Sequence, residues 1–199
     1  MDPDWAYLDR QMKRWSPRLR DDLRIMPPAS NSLATAVFEE VSRLPSSTLA
    51  EIRSATPIPI DARLTELQAF QGFMERAPSD AYSTRAKVLV QNYMTFVYLG
   101  DACFRVLAKS APAGSVVRSC SKFLIQRDVR RFRNAVAHGN WMYNDDFSGI
   151  FFWSRKGNDP AEPLSAFQVS QNDLDFWQSL ARCIAYAAFV AIGMNDQTP

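Results

Sequence analysis

Proton-transfer chemistry in this chain converges on one imidazole. Histidine occurs once in 199 residues, at His138, and it is the side chain whose charge changes near neutral pH, which suits it to moving a proton. It closes the stretch Gln126-Arg-Asp-Val-Arg-Arg-Phe-Arg-Asn-Ala-Val-Ala-His138. From Arg118 to Arg133, six basic residues stand against one acid, Asp128, although the formal net charge of the whole chain is only +2. Local positive charge of this kind suits phosphate. A guanidinium also offers a planar donor fork that matches a phosphodiester and the charge of its transition state. At helical spacing Arg130, Asn134 and His138 follow one another at four-residue steps and form one polar stripe. Arg133 is rotated from Asn134 by about 100°, within reach of the same cleft. Asparagine can hydrogen-bond both an imidazole and a substrate oxygen. Arg133, Asn134 and His138 are therefore the candidate catalytic set, and Arg127, Arg130 and Arg131 the candidate substrate-binding residues. No cofactor is implied, and no carboxylate cluster has metal-ligand spacing. Cys103, Cys120 and Cys183 are odd in number and widely spaced, without a Cys-x-x-Cys pair, which argues against a disulfide framework and a cysteine-built zinc site.

The elements that must carry these residues read as helical. Trp5, Leu8, Met12 and Trp15 recur at three- and four-residue spacing until Pro17 interrupts. A short segment from Arg18 to Ile25 ends before Pro27-Pro28. Ser32 can cap a helix carrying Leu33, Val37, Val41 and Leu44, and Ser46-Ser47-Thr48 starts another. Thr56-Pro-Ile-Pro-Ile60 reads as an extended connector. Asp61 caps a helix with Leu64, Leu67, Phe70, Phe73 and Met74. A long helix from about Ser79 to Lys109 is apolar on more than one face, and this predicts the central, most buried helix. After the breaker Ser110 to Gly114, one helix runs from Ser115 to about His138, with Phe132, Ala135 and Val136 inward and Gly139 at a left-handed C-cap. Then the period changes. Trp141, Tyr143, Ile150 to Trp153 and Ala166 to Val169 form short aromatic or β-branched runs separated by turn-prone residues. These aromatics read as hairpin and core packing, with base stacking as the alternative. Ser170 with Asp173 resembles a cap for a last helix carrying Leu174, Trp177, Leu180, Ile184 and Phe189. The expected fold class is all-α, a helical bundle with a small β-hairpin inserted before the last helix. Residues 1–55 are read as an N-terminal helical extension and 56–199 as the bundle, with the hairpin at about 141–169.

The motif Arg133-Asn134-x-x-x-His138 resembles the Arg-polar-x(n)-His signature of HEPN domains, helical proteins common in toxin–antitoxin and phage-defence systems. The resemblance covers roughly Ser79 to Ile192 in architecture and six residues in motif. It implies a metal-independent endoribonuclease in which the 2′-hydroxyl of the RNA attacks the adjacent phosphate, without any cofactor. It implies a homodimer whose two motifs share one cleft, and an antitoxin protein as a further partner. By position, Arg133 would hold the scissile phosphate, Asn134 would orient the site and His138 would be the acid–base group. Arg127, Arg130 and Arg131 would bind RNA. Some members carry a tyrosine two residues after the histidine, where this chain has Asn140. A single histidine bears on this independently: acid–base cleavage by two imidazoles needs a second chain, so either a dimer supplies the second imidazole or Arg133 and water take the other role. The near-chargeless last helix, with Trp177, Ile184, Ala188 and Phe189, is the expected self-complementary interface. The alternative function is a non-catalytic HEPN-like module that binds RNA or protein through the basic helix. No signal peptide pattern is visible, and the most apolar stretch, Cys183 to Met194, is shorter than a membrane span of about 18 residues, so a cytoplasmic location without membrane contact is expected.

Overall fold

The computed structural model describes residues 5–26, 33–55, 62, 69, 76, 80, 96–97, 101–146, 148–155 and 159–195. Within them, the helices α1 (Trp5–Arg14), α2 (Ser16–Leu23), α3 (Leu33–Ser42) and α4 (Ser46–Ser54) precede α5 (Asp101–Ser110), α6 (Val116–Leu124) and α7 (Arg127–His138). Strands β1 (Trp141–Tyr143), β2 (Gly149–Ser154) and β3 (Ser165–Ser170) follow, and α8 (Gln171–Asn195) ends the described chain. The protein is mostly helical, with a three-stranded antiparallel sheet in the order β1-β2-β3. The expected Ser32 cap, the connector 56–60, the helix from Asp61 and most of the helix from Ser79 lie outside the described residues, as does Gly157-Asn158 between β2 and β3. Helix α5 is the described end of the helix expected to reach Lys109.

Helix ends follow from local chemistry. Pro17 sits in the first turn of α2, where its missing N–H removes no helical bond, so the helix begins earlier than the expected Arg18. Ser115 caps α6 by accepting the Arg118 N–H at 3.1 Å. The Glu40 carboxylate accepts from the Val116 and Val117 N–H groups at 3.1 and 2.8 Å, placing negative charge at the positive end of that helix. Ser170 Oγ accepts from Asp173 N–H at 3.0 Å and donates to the Asp173 carboxylate at 2.6 Å, as the expected cap requires. Arg18 then ties α2 to the same carboxylate at 2.5 Å and lies over the Phe176 ring.

Two expectations are corrected. The segment from Ser115 to His138 is two helices, broken at Ile125-Gln126, where Gln126 turns to extended backbone (φ −69°, ψ 168°). On one continuous helix Phe123 and Phe132 would point about 180° apart. The break lets both face α8, with Phe123 5.6 Å from Phe176 and Phe132 5.9 Å from Trp177. Among the described elements α8 is the most connected, contacting α1, α3, α4, α5, α6, β2 and β3, while most of the helix expected at the centre lies outside the described residues. Second, α8 does not offer its apolar face to a second copy. Trp177, Ile184, Ala188 and Phe189 are buried within the protomer. The span Gln171–Met194 is long and apolar enough to cross a membrane, but 78% of its apolar window is buried inside the protein, as befits a core helix. Leu33, Val37 and Val41 of α3 and Met12, Trp15 and Leu19 of α1, α2 and the turn between them belong to the same core.

Candidate functional site

Helix α7 presents the polar stripe because its opposite face is anchored. Val129, Phe132, Ala135 and Val136 are buried. The Phe132 ring meets Phe96, Phe152 and Trp177 edge-on at 5.4, 5.4 and 5.9 Å. Emptying such a site typically costs about 3–5 kcal/mol, so the rotation of α7 about its axis is firmly set. The helix ends at Gly139, which adopts left-handed backbone (φ 70°, ψ 17°). Asn140 N–H donates back to the Ala135 carbonyl at 2.8 Å, completing a Schellman-type cap. The Asn140 carbonyl then accepts from Trp153 N–H at 3.0 Å, so the tip of α7 is stitched directly to β2.

On the outward side Arg130 and His138 are exposed and Asn134 is half-buried between them, as the four-residue spacing predicts. Arg133 joins this stripe through its neighbour. Its Nε and Nη2 groups donate to Asn134 Oδ1 at 3.3 and 2.8 Å, so the amide orients the guanidinium. The basic residues have diverged in role. Arg127 and Arg130 are exposed. Arg131 is half-buried, lies over the Phe167 ring at 4.4 Å and approaches Asp128 at 3.9 Å. Arg118 is turned to the Ala111 carbonyl at 3.0 Å.

His138 lines an open groove of about 420 Å³ with Asn140, Trp153, Ser154, Arg155 and Leu164. Arg133 and Asn134 do not line that groove; they lie along the same helix, one turn before it. The β2 residues of the groove are absent from the sequence-based site. The signal that points to them is the alternation of Phe151 and Trp153, which puts both on one face of β2, with Arg155 just past its end. Tyr143 is a different matter, since burial pushes its phenol above the ordinary value of 10, leaving it protonated at neutral pH. Among the described residues no cluster of His, Cys, Asp and Glu converges as a metal ion would require. The chain matches no known protein family, no curated protein and no solved structure, so the functional reading rests on its own residues.

Proposed function

We propose that this chain is a metal-independent endoribonuclease of the HEPN type, a helical bundle with the sheet as an insertion, acting in the cytoplasm as a toxin or defence effector. One observation carries the reading: a guanidinium held by its neighbouring amide lies one turn before the only imidazole, which is exposed at the capped end of a basic helix. Chemically, the 2′-oxygen of the RNA forms a bond to the adjacent phosphorus as the bond to the 5′-oxygen breaks. The products are a 2′,3′-cyclic phosphate and a 5′-hydroxyl. Arg133 neutralises the charge gathering on the phosphoryl oxygens, in an orientation set by Asn134. His138 takes or supplies the proton, and the second proton-transfer group comes from another copy of the chain in a homodimer. Arg127 and Arg130 hold flanking phosphates, and Arg131 adds positive charge from its place over Phe167. An antitoxin protein would act by covering this helix tip.

The test is cleavage of a defined RNA by the wild type, His138→Ala and Arg133→Ala, with end-group analysis. Each substitution lowers cleavage by at least about 100-fold with an unchanged circular dichroism spectrum, the wild-type products carry cyclic phosphate, and chelators have no effect. Cleavage that survives His138→Ala overturns the reading. RNA binding without turnover supports instead the non-catalytic HEPN-like module, which the commitment of Arg133 to Asn134 and of Arg131 to Phe167 would also accommodate.

A further inference from the structure

The sheet has an inner face and an outer face, and the outer one is unusually furnished. Antiparallel register sets Trp141, Phe152 and Phe167 in one row and Tyr143, Ile150 and Val169 in another, all facing the core side. The intervening row, Met142, Phe151 and Gln168, faces out, with Met142 56% and Phe151 44% exposed. Trp153 shares that face two residues along β2, and Arg155 lies two further, beside His138 in the groove. Phe151 and Trp153 are therefore separated by roughly 6.7 Å along a strand fixed on both edges by hydrogen-bonded neighbours.

We infer that this outer face is a stacking platform for unpaired bases, which lays a single-stranded RNA along β2 and leads its backbone to His138. The inference rests on the ribonuclease reading for its choice of ligand, and three observations support it. Two aromatics at alternate positions of a rigid strand suit successive unstacked bases, since every base has a π-face. Charge gives the platform a direction. Among the described residues the groove at the Trp153 end is lined by His138 and Arg155 and by no carboxylate, whereas the recess at the Phe151 end, of about 550 Å³, is lined by Asp145 and Asp146. A polyanion is favoured at the first and repelled at the second. Finally, Arg155 is held in place by donating Nη1 to the Pro160 and Glu162 carbonyls at 2.7 and 2.8 Å, so its charge is fixed at the mouth of the groove.

The test uses the full chain and a short fluorescein-labelled 2′-O-methyl oligouridylate, followed by anisotropy. That probe lacks the attacking hydroxyl, so binding is read whether or not the protein cleaves RNA. Phe151→Ala and Trp153→Ala each weaken binding by about 5- to 150-fold, the range expected for loss of one stacked base. Trp153→Phe, which keeps a ring, retains most of the affinity. Phe151 is exposed enough that its removal opens no core cavity, and thermal melts of the variants check folding. Unchanged affinity in both alanine variants, or no binding by the wild type, overturns the inference and leaves the cleavage test of His138 untouched. Loss of a dimer in Phe151→Ala by light scattering, with oligonucleotide affinity intact, also overturns it and makes the face a contact between copies. A protein that binds through these rings but never cleaves sustains the platform and removes the ribonuclease.

Discussion

Asn134 controls the candidate site more than its modest chemistry suggests, because it accepts two guanidinium N–H groups from the residue beside it. Replacing it by alanine removes this hold on the Arg133 guanidinium, and kcat/KM on a defined oligoribonucleotide is expected to fall about 10-fold, the worth of one charge-assisted hydrogen bond. Asn134→Asp keeps an acceptor at the same place but adds a negative charge beside the phosphate, so its activity is expected to fall below that of the alanine variant. An aspartate variant as active as the wild type would show that the positive charge of Arg133 is not used. The stripe of Arg130, Asn134 and His138 was legible in the sequence, since helical period alone puts four-residue steps on one face. The role of Arg131 was not. Its place over Phe167 depends on a strand that lies far along the chain and reaches α7 only through the tertiary fold.

Two glycines separate backbone strain from steric overlap in the elements that frame the site. Gly139 has a positive φ of 70°, and a Cβ there would meet nothing within 4 Å. Gly139→Ala therefore bears only the conformational cost of a left-handed residue, about 1–2 kcal/mol, read as a lower urea midpoint with an unchanged slope. Because that turn aims His138, RNA cleavage should fall with it. At Gly149 a Cβ would stand 2.3 Å from the Val169 carbonyl oxygen, which cannot move without parting β2 from β3. Gly149→Ala is expected to destabilise more than Gly139→Ala and to weaken oligonucleotide binding by disturbing the platform. A Gly149→Ala variant with wild-type stability would contradict the register. The glycine cap was readable from Gly139 following the last periodic residue, whereas the break between α6 and α7 was not. Ile125 and Gln126 carry no Pro or Gly, and the chain bends there because Phe123 and Phe132 must both reach α8.

At the scale of the molecule the dominant fact is that α8 is packed on by most of the described elements, and it carries a pH signature. Cys183 of α8 is fully buried, and burial, with some help from Asp9, pushes its thiol from the ordinary value of 9.0 up to about 12. Burial also pushes Cys120 well up, reinforced by Cys183 and Glu40. Below pH 9 both folded and unfolded chains hold these protons. Between about 9 and 12 the unfolded chain loses the Cys183 proton while the folded chain keeps it, so stability falls as pH rises, by about 1.4 kcal/mol per pH unit per thiol. Cys183→Ala is expected to make that alkaline decline shallower in urea titrations, whatever its effect at neutral pH, and an equal slope would refute the assignment. Among the described residues the sequence by itself determined which segments are helix and which are strand, the caps at Gly139 and Ser170, and the single polar stripe ending in His138, because each depends on neighbours within a few residues. Only the tertiary structure decided that the apolar face of α8 is buried within the chain and cannot serve as an interface, and which arginines remain exposed. It alone also set Trp153 and Arg155 beside His138. Those outcomes depend on which distant faces exclude water together, and no local period encodes that.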